Sequence, residues 1–508
     1  MYVKRGLSTI GAMRLHALVT TALFAGVLAL VSLACSGDTD TPPSTGEPTA
    51  SATSTQVEPT LPVGTLLVEA SQPVAFAFTP DGRLFFTERT TGEIRIARPT
   101  SGQTPTDPQV QQAIDLAKAD YGQVTGVDIA DMDVVSWTAR EWPDACLGLG
   151  EAGEVCTEVI TLGYRIVVSV IDSAGAAVYR TDEGSVARLE TIRAGTIGTS
   201  DLFAAVDVFP GGPECGLLGI AVDPDFETNG YIYVYLTQPI PGDDVRSQPR
   251  VIRYTDVNGE GTEPTVIVED LPTTNPAICG HVGGNLHFGQ DGYLYLSLGN
   301  NERTEDAVAA DLSSPLGKIL RLNKEDGSAA PGNPFENDPG VDPRVFAYGL
   351  RNTYDFAFHP TTGEIYAPDN GPGNCDELNL IRAGSDYGVP GSLRIREPES
   401  CLGLGGTDPI HLFTRVGRRP EQLASNMAPA GVAYLEADRY PTLADGLLVC
   451  LFNPDILQLI EFAAPEFDTV LRVTDIADCE INVEVWEGRI YYSRSDGIYV
   501  LPPEALVP

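Results

Sequence analysis

One pattern of apolar and polar positions recurs along the chain. An apolar pair is followed by a turn that contains Asp or Gly, and then by residues that alternate between apolar and polar. Alternation with a period of two on both sides of a turn is typical of a β-hairpin. The pattern occurs at 78–88, 222–237, 288–299, 358–371, 434–452 and 485–500. The sequence therefore predicts six hairpins.

Six hairpins separated by long connections favour one architecture. Each interval leaves room for a four-stranded sheet with generous loops. We therefore predict an all-β fold, a six-bladed β-propeller whose radial packing protects the edges of its sheets. Two packed β-sandwiches are the alternative that the pattern leaves open.

A different pattern interrupts the first repeat at residues 105–187, between a first part of the blade at 63–104 and the rest of the propeller at 188–503. Residues 110–122 carry apolar side chains at helical spacing, and three strand-like segments follow them. We expect a small α+β domain inserted in the first blade. It resembles the PepSY-like modules of exported bacterial proteins. Because it contains no catalytic cluster, we interpret it as a spacer or a partner-binding domain.

The N-terminal residues predict export. Basic residues precede an apolar segment at 17–34, which ends in small residues before Cys35. Residues 1–35 resemble the signal peptide of a bacterial lipoprotein, with Cys35 as the lipidated residue at the cell surface or in the periplasm. Plain secretion and an uncleaved anchor are the alternatives. Residues 36–62 are rich in Thr, Ser and Pro, which predicts a disordered tether.

Composition and charge narrow the classes of ligand. The 508 residues include 32 Lys+Arg against 70 Asp+Glu, for a formal net charge of −38. This balance argues against nucleic acid as a partner and against adhesion to an anionic membrane by charge. A neutral small molecule or a divalent cation remains compatible with it. We expect contact with a membrane only through the N-terminal lipid anchor.

The cysteines predict a disulfide framework. If Cys35 carries lipid, eight of the nine remain, an even number in an oxidising compartment. Cys146 and Cys156 bracket a Gly-rich turn, and we expect them to pair. From proximity and repeat position we expect three further pairs: Cys215 with Cys279, Cys375 with Cys401, and Cys450 with Cys479. The cysteine and histidine spacings match no zinc site.

The Gly-rich segment at 279–292 contains the first candidate for chemistry. Gly280, Gly283 and Gly284 flank His281 and let the backbone approach a ligand closely. A histidine there can act as a general base, because its ordinary pKa is about 6.5. A loop histidine that makes only structural hydrogen bonds is the alternative.

Two further segments carry candidate polar groups. Arg351 and Asn352 follow a predicted strand, where an arginine can hold an anionic or oxygen-rich ligand through its planar guanidinium. Pairing with a neighbouring acid is the alternative in so acidic a chain. Asp376 and Glu377, with the carbonyl groups of the Gly-Pro turn at 371–372, are hard oxygen donors of the kind that calcium prefers.

Taken together, these segments resemble the glucose/sorbosone dehydrogenase family, which includes soluble quinoprotein glucose dehydrogenases and aldose sugar dehydrogenases. The resemblance covers 66–104 and 188–503. The segments that carry the resemblance, through their order and spacing, are 215–237, 281–300, 314–335, 345–360 and 371–390. The resemblance implies a six-bladed propeller, which agrees with the repeat count.

The resemblance also implies a cofactor, pyrroloquinoline quinone (PQQ), bound on one face of the propeller with calcium beneath it. His281 matches the family's catalytic base, which takes the proton of a sugar hydroxyl as hydride passes to the quinone. Arg351 matches an arginine that contacts the quinone oxygens, and Asn352 matches its cofactor-contacting neighbour. Glu214 occupies a polar position beside the cofactor.

For the metal, the resemblance implies two calcium sites. The carbonyl groups of Gly371 and Pro372 match the ligands of the cofactor calcium. Glu377 and Tyr387 match positions near a second, structural calcium, and Asp376 is a further oxygen donor beside them. We therefore expect an exported, PQQ- and calcium-dependent dehydrogenase that oxidises a sugar hydroxyl. The sequence does not specify its electron acceptor.

The chain departs from the family where the carboxylates of PQQ are held. Asn453 stands where the family has a lysine, and Cys479 and Ile481 stand where it has arginines, with Glu480 between them. Arg415, Arg418 and Arg419 are the cations that could substitute. The alternative function is therefore a non-catalytic, calcium-stabilised propeller that has lost its cofactor and binds carbohydrate or a protein partner.

Overall fold

The computed structural model describes residues 61, 64–97, 108–129, 132–150, 153–170, 175–194, 200–275, 278–302, 307–372, 375–388, 401–402, 405–413, 426–437, 440 and 442–501. By its contacts the chain divides into Met1–Glu58 and Pro59–Pro508, and the described residues all lie in the second unit. The predicted signal peptide, lipidated Cys35, the tether up to residue 60, and Arg415, Arg418 and Arg419 lie outside the described residues. In the described part, none of the helices is long and apolar enough to span a bilayer.

Short strands dominate the chain. The first elements are β1 (Thr65–Glu69), β2 (Pro73–Phe78), β3 (Leu84–Glu88), β4 (Glu93–Ala97), α1 (Pro108–Thr125), β5 (Met132–Trp142), β6 (Thr161–Val170), β7 (Gly175–Asp182), β8 (Ala187–Ala194) and β9 (Ser200–Ala205). Next come β10 (Leu217–Val222), α2 (Phe226–Asn229), β11 (Tyr231–Ile240), β12 (Asp243–Val257), β13 (Glu260–Val268), β14 (Leu286–Phe288), β15 (Leu294–Leu298), α3 (Ala307–Ala310), β16 (Lys318–Leu322) and β17 (Val345–Tyr348). The last are β18 (Ala357–Phe358), β19 (Ile365–Asp369), β20 (Glu377–Ile381), β21 (His411–Leu412), β22 (Pro429–Leu435), β23 (Gly446–Leu451), β24 (Ile456–Phe462), β25 (Val470–Ala477), β26 (Val483–Trp486), β27 (Arg489–Arg494) and β28 (Gly497–Leu501).

Six antiparallel sheets of four strands each contain the predicted hairpins. In hydrogen-bonded order, sheet 1 is β2-β3-β4-β9, sheet 2 is β10-β11-β12-β13, and sheet 3 is β14-β15-β16-β17. Sheet 4 is β18-β19-β20-β21, sheet 5 is β22-β23-β24-β25, and sheet 6 is β26-β27-β28-β1. Each hairpin joins the first two strands of its sheet, and the described residues are mostly β, as predicted. Since β1 pairs with β28, the two ends of this unit share sheet 6.

Buried apolar clusters join each sheet to the next in sequence order. Phe85 of sheet 1 packs in one cluster with Leu236 of sheet 2, and similar clusters join sheets 2 and 3, 3 and 4, 4 and 5, and 5 and 6. A further cluster, containing Phe86 and Tyr491, joins sheet 6 to sheet 1. The large apolar side chains of the alternating strands are therefore buried between neighbouring sheets.

A seventh sheet, β5-β6-β7-β8, interrupts sheet 1 between β4 and β9. Helix α1 packs on it through a buried stripe that includes Val110, Ile114 and Ala117. The helix and three of the strands are those that the sequence predicts for the insert. Strand β8 pairs along β7 from Ala187 to Ala194, beyond the predicted boundary of the insert at residue 187, which stays a prediction.

Four disulfides link the chain, and they are the four pairs expected from the sequence. Cys146–Cys156 closes a turn in the insert, and Cys450–Cys479 joins sheet 5 to the segment before sheet 6. The other two are Cys215–Cys279 and Cys375–Cys401. Cys215–Cys279 ties the residues just before β10 to the loop that carries His281, so this disulfide helps to place the candidate site.

Candidate functional site

A cavity of about 670 Å³ opens where the first strands of the six sheets begin. Its wall takes residues from every sheet or from the turn that precedes it. Among them are Gln72 and Val74, Glu214 and Leu218, His281, Arg351, Asn352 and Tyr354, Ala428 and Ala430, and Ile481. The fold thus brings four of the sequence-predicted site residues, Glu214, His281, Arg351 and Asn352, to one cavity.

The tautomer of His281 follows from its hydrogen bonds. Nδ1 of His281 lies 2.9 Å from Oδ1 of Asn300, and the same Oδ1 accepts the backbone N–H of Glu302 at 3.1 Å. Because the N–H of Glu302 fixes this atom as the amide oxygen, Nδ1 of His281 must carry the proton that it donates. Nε2 therefore presents its lone pair, which is the arrangement a general base needs.

His281 is held in its neutral form. Its side chain is 13% exposed, and burial together with the positive charge of Arg351 lowers its pKa to about 4. The hydrogen bond to Asn300 acts in the opposite direction. At neutral pH the imidazole is therefore uncharged and able to accept a proton.

Asp369 positions the turn that carries Arg351 and Asn352. Its carboxylate is buried at the end of β19 and accepts the backbone N–H groups of Arg351 at 2.8 Å and Asn352 at 2.7 Å. The hydroxyl of Thr353 donates to it as well, at 3.1 Å. Burial raises the pKa of Asp369, and these donors partly offset that effect. Local sequence patterns do not predict this role, since the partners lie about eighteen residues apart in the chain.

The two side chains of this turn reach different parts of the cavity wall. Arg351 donates from Nη1 to the carbonyl of Asn370 at 2.5 Å and, more weakly, to that of Gly371 at 3.4 Å. Asn352 donates from Nδ2 to both carboxylate oxygens of Glu214 at 3.2 Å. Its Oδ1 is buried and has no hydrogen-bond partner among the described residues. A ligand with a donor group would satisfy this atom.

Glu214 holds the loop that carries His281 through hydrogen bonds to its backbone. Its carboxyl group accepts the backbone N–H groups of His281 and Val282 in addition to the amide of Asn352. Burial nevertheless raises its pKa. The side chain therefore connects the loop before β10, the His281 loop and the Asn352 turn.

The sequence-predicted metal residues lie behind the cavity wall. Oδ2 of Asp376 accepts the N–H groups of Met427 and Ala428 and so shapes the start of β22, while its Oδ1 is buried without a partner among the described residues. Burial raises the pKa of Asp376 to about 6 and that of Glu377 to about 8. Oδ1 of Asn379 is a second buried oxygen without a described partner. Among the described residues, the oxygens of Asp376, Glu377 and Asn379 therefore lack a contacting cation that would stabilise the charged carboxylates.

The other metal candidates already have partners. The Tyr387 hydroxyl donates to the carbonyl of Leu380 at 2.7 Å and accepts the N–H of Arg382 at 2.8 Å, so it closes a turn. The carbonyls of Gly371 and Pro372 accept long hydrogen bonds, from Arg351 and Cys375, at 3.4 Å. Each carbonyl keeps a second lone pair for a cation.

Two of the three positions that lack the family's cations line the cavity. Asn453, Glu480 and Ile481 line it, whereas Cys479 is buried in its disulfide with Cys450. Glu480 accepts hydrogen bonds from Arg494 at 3.2 Å and from the N–H of Ser495 at 2.6 Å. Asp455 adds another carboxyl group to this side of the wall. The guanidinium of Arg494 lies 3.2 Å from Glu480 and 3.8 Å from Asp455, so this part of the wall sets two carboxyl groups against one cation.

Arg89 is a cavity cation that the sequence reasoning missed. Its guanidinium binds the side-chain oxygen of Gln72 and the carbonyls of Pro213 and Cys215, at 2.9–3.2 Å. It follows β3 directly, so only the long-range packing of sheets 1 and 2 brings it to the cavity. With Arg351 it gives the described wall two arginines against the carboxyl groups of Glu214, Asp455 and Glu480.

A second cavity, of about 430 Å³, is lined by residues of sheets 3, 4, 5 and 6, including His287 of sheet 3. Nε2 of His287 is 2.7 Å from Oδ1 of buried Asp355, whose other oxygen accepts the N–H of Val432. Burial disfavours the charged imidazole, but Asp355 outweighs burial and raises the pKa of His287. The pair links the first strands of three sheets and has a structural role.

Family models match two parts of the chain. The model for Glucose / Sorbosone dehydrogenase matches residues 183–477. A domain of unknown function, DUF8738, matches residues 114–189, which lie in the insert. The PepSY-like resemblance of the insert stays a prediction.

Three curated relatives illustrate the range of similar proteins. Aldose sugar dehydrogenase YliI of Escherichia coli is 24% identical over 58% of this chain and 80% of its own length. Quinoprotein glucose dehydrogenase B of Acinetobacter calcoaceticus is 32% identical over 34% of this chain and 40% of its own. Hedgehog-interacting protein of Homo sapiens is 31% identical over 37% of this chain. The chain spans 30% of that last relative.

Among solved structures, the crystal structure of a glucose dehydrogenase is similar with a TM-score of 0.56 at 19% identity. The similarity covers 87% of this chain and 99% of that one. At this level of identity the likeness concerns the fold.

Proposed function

The chain belongs to the glucose/sorbosone dehydrogenase family, and from that premise we propose that it is a sugar dehydrogenase whose proton acceptor is His281. One observation carries the proposal. The imidazole of His281 is neutral, has its proton fixed on Nδ1 by Asn300, and lines a cavity that it shares with the guanidinium of Arg351. A positioned base of this kind contributes about 10²–10⁴ in rate.

The residues of the wall suit a sugar. Side-chain amides of Asn370, Asn426 and Asn453 line the cavity. The side-chain N–H groups of Asn370 and Asn453 donate to neighbouring oxygens, so their Oδ1 atoms can accept from hydroxyl groups, while Nδ2 of Asn426 can donate to them. Phe452, which is 53% exposed, and Tyr354 offer apolar ring surface for the carbon face of a sugar. Nε2 of His281 accepts the proton of the reacting hydroxyl, and Arg351 favours the negative charge that develops on the oxygen.

PQQ fits this cavity at its reacting end. Arg351 lines this part of the cavity, and its guanidinium can donate to the quinone oxygens. The unpartnered Oδ1 of Asn352 would instead accept from a donor group such as a sugar hydroxyl. When bound, PQQ supplies a quinone that accepts the hydride of the sugar. Its carboxylates would face Asn453, Ile481 and Glu480, and carboxylates without cations are costly to bury. We therefore expect binding that is weak for the family and needs excess cofactor.

Calcium fits the oxygens beneath the cavity. Asp376 and Glu377 are buried carboxyl groups whose pKa is raised. Oδ1 of Asp376 and Oδ1 of Asn379 are buried and lack described partners. A divalent cation would offset the cost of charging these carboxylates. Asp376 and Glu377 would hold it, while the Gly371 and Pro372 carbonyls are the donors closest to the cavity wall. The Tyr387 hydroxyl is committed to its turn.

The proposal extends to architecture and location. The six sheets are the blades of one propeller, which the apolar clusters between successive sheets and between sheets 6 and 1 support. Export to an oxidising compartment agrees with four disulfides formed by the eight cysteines that follow Cys35. A lipid anchor at Cys35 would then tether the propeller to the cell surface through residues 36–62.

A second candidate function is a binding module that has lost its cofactor. The acidic wall formed by Asp455 and Glu480, beside neutral Asn453 and Ile481, favours it, because this wall opposes an anionic cofactor. The similarity to a Hedgehog-interacting protein is compatible with a protein partner. The amides and rings of the cavity would serve carbohydrate equally well without oxidation.

Calorimetry separates the two candidates. Chelator-treated protein is titrated with PQQ in excess calcium, and then with an aldose. Calcium-dependent binding of PQQ, weak but saturable, is the result that the dehydrogenase predicts. If PQQ gives no heat of binding even at high concentration while the protein still binds sugar, the dehydrogenase proposal is wrong and the binding module is supported.

A further inference from the structure

A second carboxyl group lies against the candidate base. Oε1 of Glu302 is 3.4 Å from Nε2 of His281. Because Asn300 fixes the imidazole proton on Nδ1, this contact joins a lone pair to a carboxylate, with no proton between them. Two acceptors at this distance repel each other until one of them is protonated. This contact therefore favours the imidazolium form of His281, against the burial and the charge of Arg351 that lower its pKa.

The turn after β15 fixes the position of Glu302. The N–H of Asn301 donates to the carbonyl of His281 at 2.8 Å, and Oδ1 of Asn301 accepts the N–H of Asn275 at 2.9 Å. Asn301 and Glu302 both adopt left-handed backbone conformations, with φ of 59° and 47°. Consecutive non-glycine residues in this region persist only where the surroundings hold them.

Gly280 makes room for the carboxylate. A Cβ atom at residue 280 would lie 2.9 Å from Oε1 of Glu302, closer than such contacts occur. The φ of Gly280 is not in the left-handed region, so the backbone itself does not require glycine there. The absent side chain instead lets Glu302 reach the imidazole.

We propose that Glu302 is a positioning residue for His281. Its carboxylate pairs with the imidazolium and receives the proton that Nε2 of His281 takes from the substrate. The proposal rests on the proposed dehydrogenase. The O–H bond of the sugar breaks as Nε2–H forms, and the proton then passes from Nε2 to Oε1 of Glu302. The Glu302 side chain is 33% exposed, so water can remove the proton and return His281 to its neutral form.

Two other charged groups near the imidazole affect the protonation of His281 or contact its backbone. Arg351 faces His281 and disfavours its protonation, while Glu214 binds the backbone N–H of His281 and lies near Glu302. Of these groups, Glu302 alone among the described residues places a carboxylate oxygen within 4 Å of a ring nitrogen of His281. Glu302 is thus the charge that offsets Arg351 once the proton has been taken.

The first test does not need enzymatic activity. The imidazole of His281 is titrated by NMR between pH 8 and 3, with its signal assigned by its loss in His281→Gln. Glu302→Gln should move the midpoint from about 4 to below the titrated range, so that the His281 signal stays that of the neutral imidazole down to pH 3, since an opposite charge at this distance shifts a pKa by about one unit or more. Gly280→Ala should lower it too, because it displaces the carboxylate and keeps the charge. Glu227→Gln, which removes an exposed carboxylate elsewhere, should leave it unchanged.

An unchanged midpoint in both Glu302→Gln and Gly280→Ala would overturn the proposal, and so would an equal shift in Glu227→Gln. With turnover, Glu302→Gln should lower kcat about tenfold or more with little change in KM for the sugar, and Glu302→Asp should recover part of the loss. If the protein oxidises no sugar but the midpoint shifts as expected, the proposed function fails while the pairing of Glu302 with His281 stands.

Discussion

Restoring cations to the acidic side of the cavity should strengthen the binding of PQQ. Asn453 and Ile481 both line the cavity and stand where the family resemblance places a lysine and an arginine. Asn453→Lys and Ile481→Arg each put a positive charge beside the expected position of a cofactor carboxylate. The double variant replaces two of the three missing charges.

The magnitude follows from the exposure of the two sites. Opposite unit charges 4 Å apart gain about 1 kcal/mol in a water-like environment and about 4 kcal/mol near a partly buried surface. Asn453 is exposed, so its lysine lies near the lower value, whereas Ile481 is half-buried. The carboxylate of Glu480, adjacent to Ile481, would also attract an arginine at position 481 and so reduce its contribution to the binding of PQQ. Together the two changes should contribute about 2 kcal/mol or more, which is roughly thirtyfold in Kd.

The assay is a calorimetric titration of PQQ into each variant in excess calcium. Asn453→Gln and Ile481→Met serve as controls that keep the approximate size of the new side chains without their charge. The gain of the charged double variant should shrink at high salt, because exposed charges are screened. If the neutral controls tighten binding as much, or if the charged double variant binds no better than the unaltered chain, the electrostatic explanation of the altered wall is wrong.

Two further predictions concern stability. Removing calcium with a chelator should lower Tm, because a ligand present at 100 times its Kd stabilises the native state by about 2.7 kcal/mol. In scanning calorimetry, the Tm of the Asp376→Asn, Glu377→Gln double variant should not respond to chelator. An identical Tm of the unaltered chain with and without calcium would exclude the metal. The folded-state pKa of His281, about 4, lies below its unfolded value of 6.5, so His281 contributes stability that is complete above pH 6.5 and is lost as pH falls toward 4. Urea titrations should show a smaller loss of unfolding free energy between pH 6.5 and 4 in His281→Gln than in the unaltered chain, and equal losses would refute the lowered pKa.

Local patterns were sufficient to predict the strands and the central site residues. The six hairpins follow from alternation around Asp- and Gly-containing turns, as in Phe288 and Leu294, which pair across the turn at 289–293. The stripe of Val110, Ile114 and Ala117 predicted α1, and it packs on the seventh sheet. These features depend on neighbours within a few residues, where period and turn chemistry determine the conformation.

The remainder of the site depends on contacts between distant segments. Asp369 ends strand β19, and Arg89 and Glu302 follow strands. Only the packing of the sheets places these three polar residues against Asn352, Cys215 and His281, respectively. Strand β8 was missed for a similar reason, because its partner is the edge of β7 in a sheet of its own.

The most direct test of the account is the oxidation of an aldose in the presence of saturating PQQ and calcium, followed with a dye as electron acceptor. The unaltered chain should turn over, and His281→Ala should lose at least about a hundredfold in kcat while it retains the fold and the binding of PQQ. A His281→Ala protein with unaltered turnover would contradict the assignment of the base. Complete absence of turnover in the unaltered chain, with PQQ bound and aldoses supplied, would contradict the proposed dehydrogenase.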